Sequence, residues 1–405
     1  SMTDGIIMLP TMVATVGAIS VYTWIETIIC VMILAYAFAK CGAYSKKSGG
    51  LGGYAEYAFG RSGNFIANFT YAIALMIANV GIAISVVAYF FNSNLSPADS
   101  AFLAGLVMIM TTAANFWGTG MTVKLGFTAM MCKLIPAAIM SICGLYFFEP
   151  QIFNAAWNPH HYTVTGAIGA ANSFRLESAC SNMDRVVNPR RNVPIAVISA
   201  TAIIGLFSII YTTVIQGIVP NSVLSGSNAP FGDAFAYMYG SLAGRIVTAF
   251  MIFGCAGALI AWQFTLGELL RESADEGYFP EIFGKVTKDG VPVKGMIVMV
   301  IIQLVMIFCT ISPTMVKQFD VLIQLATVDN LVPYVLAMAA LDIMQKQAGH
   351  NDRMTRMAAV IGGAYSLYAT YQCGMDAVTA GMITVLLGYM IYGVYAGQKP
   401  YTGCL

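Results

Sequence analysis

Five ionisable residues stand in otherwise apolar stretches: Glu26, Lys133, Arg175, Glu177 and Asp329. A charged side chain inside a bilayer is costly, so such residues are read first as parts of an ion or substrate path. Glu177, in the sequence LESAC, could attract a cation, take up a proton, or do both in alternation. The plainer alternative is a salt bridge to Arg175. Asp329 and Asn330, in VLIQLATVDNLVPY, could coordinate an ammonium group or titrate; the alternative is a hydrogen-bonded pair bracing the fold, with Pro333 loosening the helix ladder nearby. Lys133 could be a counter-charge to Glu177 or Asp329, or a titrating group in place of a bound sodium ion, unless it snorkels to an interface. Glu26 lies near the outer end of its span, within reach of the interface.

Aromatic rings would suit an amine, since a cation over an indole or phenol face gains about 0.5 to 2 kcal/mol. Trp262 stands deep in GCAGALIAWQFTLGELL, whereas Trp24, Trp117 and Trp157 fall nearer expected interfaces. Packing or lipid contact is the alternative for Trp262. Tyr71 and Asn79 lie two turns apart on one helix face and are the next candidates. Nine cysteines without CxxC spacing indicate neither a disulfide framework nor a zinc site, and the histidines at 160, 161 and 350 sit in connections. There is no nucleophile–base set, phosphate loop or ligand cluster, so an enzyme is not expected, and neither is a cofactor.

These residues must be carried by membrane helices. The chain has 405 residues, 58% of them hydrophobic and only 10% charged, against roughly 25% charged in soluble domains. Charge-free stretches run from Ser62 to Ala98, Ser100 to Val123, Asn192 to Gly232, Ile246 to Gly267, Gly295 to Val316, Met357 to Met375 and Ala377 to Gln398. Segments at about 19 to 41, 125 to 148 and 319 to 345 complete ten expected spans. Two incomplete spans, Gly5 to Val16 and Thr165 to Val187, are rich in small residues, and interrupted spans of this kind are the best sequence pointer to a transporter's binding site. With the connection after residue 41 in the cytoplasm, sixteen Lys and Arg fall inside, two (Arg245 and Lys317) outside, and Lys133 and Arg175 within the membrane, which places the C terminus in the cytoplasm. The net charge of +1 offers no basic face for nucleic acid, leaving small molecules and lipid as partners. Small-residue runs such as Gly254 to Ala258 and Gly363-Ala364 are read as close-packing features. The chain opens Ser1-Met2, and residues ahead of that start, which would complete the first half-span, are expected to be missing from the sequence.

GIIMLP at 5 to 10, CGAYSKKSGGLGGYAEYAFGRSGNF at 41 to 65, LMIANVGIAIS at 75 to 85, WNPHH at 157 to 161, LESAC at 176 to 180, NPRRNVPIA at 188 to 196, APFGDAFA at 229 to 236 and SADEGYFPEIF at 273 to 283 resemble the amino acid-polyamine-organocation transporters over essentially the whole chain. The resemblance implies an all-α polytopic bundle of 12 helices with two inverted five-helix repeats, at about 1-148 and 163-346. Two final helices follow at about 357-397, all within one transmembrane domain spanning 1-405. It implies discontinuous first and sixth family helices, alternating access, and exchange of putrescine for ornithine or proton-coupled putrescine uptake in a bacterial inner membrane. A proton-coupled amine or cationic amino acid symporter is the alternative, and a non-transporting relative is the alternative from another class. A homodimer is compatible with a family whose members often pair.

By position, Glu177 matches the family's acidic gate and proton-linked residue, Trp262 its aromatic over the substrate, and Tyr71, Asn79 and Asn330 polar site positions. Gly5 matches the last residue of a Gly-Ser-Gly motif that holds a carboxylate. That motif reads Thr3-Asp4-Gly5 here, and Asp4 would repel the carboxylate of ornithine yet suit an ammonium end of putrescine. Ahead of LESAC about half a dozen residues fewer than usual are present, about two helical turns. Lys133 resembles the proton-coupled amino acid members instead.

Overall fold

Apolar runs bounded by glycine, proline and charged residues become long helices, because a backbone in hydrocarbon must satisfy its hydrogen bonds internally. The computed structural model describes residues 10, 14, 17–47, 50–91, 95–158, 189–287, 290–311 and 313–396. Its long helices are α1 (Ser20–Tyr44), α2 (Gly50–Phe91), α3 (Pro97–Ala114), α4 (Thr119–Cys143), α5 (Pro189–Gln216), α6 (Ser241–Asp275), α7 (Val293–Cys309), α8 (Pro313–Gln347), α9 (Arg353–Gln372) and α10 (Met375–Ala396). Six helical stretches are long and apolar enough to cross a membrane, including Gly50–Phe91, Ser241–Asp275 and Gln324–Gln347; Ile28–Tyr44, Gly205–Gln216 and Val293–Cys309 are shorter apolar helices. This is a multi-pass, all-α membrane protein.

Several boundaries differ from expectation for local reasons. The run from Asn192 to Gly232 is not one span: α5 stops at Gln216. A methyl group on Gly217 would stand 2.2 Å from the Phe148 ring, its carbonyl accepts from Glu149 N at 2.9 Å, and Pro220 follows shortly after. The stretch beginning at Ser62 is the second part of a longer helix, broken at Gly60, whose φ of 64° and ψ of −159° suit glycine and turn the segment 50–59 away from the rest of α2. Ser96 caps α3 by accepting from Asp99 N at 3.2 Å, with Pro97 at the first helical turn. At Pro333 α8 continues without interruption.

Three helices organise the rest. The α2–α8 pairing is the most extensive, α6 packs on α2, α3 and α4, and α1 lies along α5 and α9. Lipid supplies little hydrophobic drive between helices, so close backbone approach matters most. At the α4–α6 seam a methyl on Gly257 would fall 2.1 Å from Ala129 Cβ, and one on Gly254 would fall 2.4 Å from Lys133 Cγ. The last helix, α10, approaches in the same way through Gly381, under Val328 of α8, and Gly388, under Ile66 and Phe69 of α2. The small-residue run at 254–258 thus does pack as the sequence implies. Gly362 lies within a Cβ's reach of Leu34 and Met338.

Candidate functional site

Residues Tyr71, Leu75 and Asn79 recur at four-residue intervals, so α2 presents them on one face. That face meets α6. Tyr71 and Leu75 share a core cluster with Trp262 and Leu266, joined by Phe38 of α1 and Tyr334 and Met338 of α8. Phe38 and Tyr334 meet edge to face at 4.8 Å between ring centroids. Trp262 is buried in this cluster, whereas Trp117 is 74% exposed and Trp157 is 38% exposed, as interfacial residues would be. Among the described residues the Trp262 surroundings are packed side chains.

One turn outward on the same α2 face, Asn79 is fully buried and donates its Nδ2 to Gln263 Oε1 at 3.3 Å. Gln263 Nε2 donates to Gln303 Oε1 of α7 at 2.7 Å, and Gln303 Nε2 returns to Gln263 Oε1 at 3.4 Å. Gln263 Nε2 also faces the Met108 sulfur of α3 at 2.6 Å. All four residues are buried. The sequence reading missed Gln263, Gln303 and Met108. For the two glutamines the available signal is a neutral amide in a charge-free run.

Asp329 and Asn330 are buried on α8. Ala326 packs with Ala74 and Ile77, and Val332 and Leu336 lie beside Phe65 and Ile66, so Asp329 and Asn330 sit at about the depth of Tyr71. By hydrogen-bond geometry neither Asp329 oxygen nor Asn330 Oδ1 has a partner among the described residues, with the Thr384 side chain of α10 the group nearest to joining Asp329. Indeed, on the α2–α8 pair every buried side-chain polar atom left without a partner is an oxygen: Asn68 Oδ1, Asn79 Oδ1, both of Asp329, and Asn330 Oδ1. Acceptors without donors fit a ligand that brings only N–H groups.

Lys133 is only 1% exposed, which rules out snorkelling for it in this conformation. Its stem crosses α6 over Gly254, where the absent side chain leaves room. Glu177, Arg175, Asp4 and Gly5 lie outside the described residues, as does the side chain of Glu26. The structure therefore brings Tyr71, Asn79 and Trp262 to the α2–α6 contact, sets Asp329 and Asn330 on the adjoining α8, and holds Lys133 against Gly254 of α6.

A second polar cluster joins the start of α2 to the end of α6. Asn64 Nδ2 donates to Glu56 at 2.8 Å and to Glu276 at 3.1 Å, Asn68 Nδ2 donates to Asn64 and to Ser273, and Lys47 pairs with Glu56 at 2.6 Å. Burial, then the nearby carboxylates of Glu56 and Glu276, push the Tyr278 phenol above its ordinary value. A cavity of about 440 Å³ between the Pro150–Ala155 turn and Asn221–Leu224 is lined by residues such as Glu149 and Asn221 and shares none with the candidate site.

With this geometry in place, comparison identifies the class. An amino acid permease model matches residues 1–395, and the chain belongs to that family. It is 46% identical to the putrescine transporter PotE of Escherichia coli strain K12 over 97% of this chain and 92% of that protein. A putrescine transporter PotE from Haemophilus influenzae is 44% identical over 97% of this chain and 93% of its own length. The cadaverine/lysine antiporter of Escherichia coli strain K12 is 31% identical over 73% and 68% respectively. The relatives are transporters, in keeping with the expectation that no reaction is catalysed.

Proposed function

We propose that this protein is a secondary active transporter that exchanges putrescine for ornithine across the bacterial inner membrane, with proton-coupled putrescine uptake as a second mode. One observation carries the substrate class: the buried side-chain polar atoms of Asn79, Asp329 and Asn330 left without a partner are all oxygens, on the two helices that bring Tyr71 and Tyr334 to the Trp262 cluster. An alkyl diammonium supplies donors at both ends and an apolar middle, the complement of such a surface. The similarity to putrescine transporters supports the same reading.

In this reading Tyr71, Asn79, Trp262 and Asn330 contact substrate, with Asp4 and Gly5 at an ammonium end. Glu177, Lys133 and Asp329 are the proton-coupling candidates. Two inverted repeats, about 1-148 and 163-346, are supported by the packing. The third helix of each repeat (α2, α6) lies on the fifth helix of the other (α8, α4), and the second helices, α1 and α5, lie together. The C terminus is then cytoplasmic by the distribution of Lys and Arg. A homodimer is compatible with the family and untouched by this argument.

The test is labelled putrescine uptake into vesicles containing the purified protein, loaded with ornithine or with buffer alone at matched pH. Uptake that requires internal ornithine is expected. Uptake into buffer-loaded vesicles driven only by a pH gradient would replace exchange by symport, and folded protein with no uptake would refute transport. In the same assay Glu177→Gln should flatten the pH dependence of uptake; an unaltered profile removes Glu177 from proton coupling.

A further inference from the structure

The orientation of a buried carboxamide decides whether it offers a ligand its oxygen or its nitrogen. Along Asn79, Gln263 and Gln303 each amide could be turned over if its neighbours turned with it. Met108 breaks that symmetry. Its sulfur accepts and cannot donate, so the Gln263 end that contacts it is assigned as the NH2 group. Gln263 Oε1 is then turned toward Asn79 and Gln303 and accepts from both. The mutual pair with Gln303 holds the Gln263 amide in that sense through a second helix. Asn79 must meet Gln263 Oε1 with its Nδ2, which leaves its own Oδ1, buried and without a hydrogen-bond partner, as an acceptor.

We infer that Gln263 and Gln303, set by Met108, are positioning residues that lock Asn79 with its carbonyl oxygen presented to the ammonium group of the substrate. The inference rests on the reading of Asn79 as a substrate contact. It extends the site to α7, whose Gln303 is two residues removed from any substrate-contacting group in the hydrogen-bond chain. Lock and contact form one unit, so their energetic effects must be coupled.

The experiment compares putrescine KM and kcat in vesicles for the wild type, Asn79→Leu, Gln263→Met, Gln303→Met and the double variant Asn79→Leu/Gln303→Met. Methionine nearly preserves glutamine's volume, so a loss of packing is kept small. Asn79→Leu should raise KM. Gln263→Met and Gln303→Met should each raise KM by about threefold to tenfold, the range of one net hydrogen bond, with kcat little changed. The double variant should be no worse than Asn79→Leu alone. An unchanged KM in Asn79→Leu would refute Asn79 as a substrate contact. A raised KM there, with KM unmoved in the glutamine variants or with effects that multiply in the double variant, would overturn the lock while leaving the contact standing. Should Gln263→Met not fold, Gln303→Met alone and in the double variant decides the matter.

Discussion

Two polar clusters of the bundle solve opposite problems. The Asn79–Gln263–Gln303 chain is neutral and wholly buried, and it links helices by carboxamides alone. The cluster of Glu56, Asn64, Asn68, Ser273 and Glu276 uses carboxylates and reaches Lys47, which is 41% exposed. Where water is near, an ionised group costs little and can gather several donors. At depth the cost of desolvating a charge exceeds what one partner returns, so neutral amides provide direction without that penalty. The deep region is therefore specific through geometry and the shallow one through charge.

The largest expected effect comes from forcing charge into the deep cluster. Gln263→Glu would bring a carboxylate against Gln303 Oε1 and Met108, two acceptors. It should cost on the order of 3 kcal/mol when ionised, read as a fall in thermal unfolding temperature in detergent. The penalty exists only while the new side chain is ionised, so the loss should grow as pH rises above the unfolded value of about 4.3 and vanish below it. A pH-independent loss would mean shape, not charge, is responsible.

Next in size is Gly254→Ala. The new methyl would meet Lys133 Cγ and Cδ, displacing the one cation held at this depth on α4. Overpacking of this kind costs about 1–3 kcal/mol. If thermal stability holds but the pH dependence of uptake changes, Lys133 belongs to proton coupling and the contrast between neutral and charged regions needs it as an exception. Glu56→Gln should be milder, about 1 kcal/mol, and the gap from wild type should shrink in 1 M salt, whereas that of Gln303→Met should not. Equal salt responses would break the comparison.

The smallest effect lies at Asp352, which caps α9 by accepting from Met354 N at 3.0 Å. Hydrogen bonds from Thr355 and then from the Met354 backbone hold its carboxyl below the usual range. Its contribution is present above the unfolded value and lost as pH falls through the folded one. Asp352→Ala should thus lower the unfolding temperature slightly at neutral pH and converge with wild type in acid.

Much of the frame was legible because it rests on long-range regularities. Apolar runs located the ten long helices, and four-residue spacing placed Tyr71 and Asn79 on one face. The depth of Trp262 in its run set it apart from Trp117 and Trp157, while substrate contact, packing and lipid contact all stayed open. Boundaries at Gly60 and Gln216 were not legible, since glycine in an apolar run reads alike as a packing residue or a break until its neighbours, here Phe148, are known. For Lys133 the sequence left open burial or snorkelling, and only the gap at Gly254 decides between them. Gln263 and Gln303 escaped because a lone amide in a span carries no sign of which helix it faces. Glu177, Asp4 and Gly5 fall outside the described residues, so their roles rest on sequence.

The glycine seam between α4 and α6 has a mechanical consequence as well. Interlocked side chains resist axial displacement, because each must change rotamer to pass the next. At Gly254 and Gly257 there are no rotamers to change on the α6 side, and the opposing surface at 129 is alanine. The Ala129 methyl and the Lys133 stem are seated in the notches those two glycines leave. Neither a backbone notch nor an alanine methyl can change rotamer to let the other pass, so this pair sets the axial register of α4 on α6.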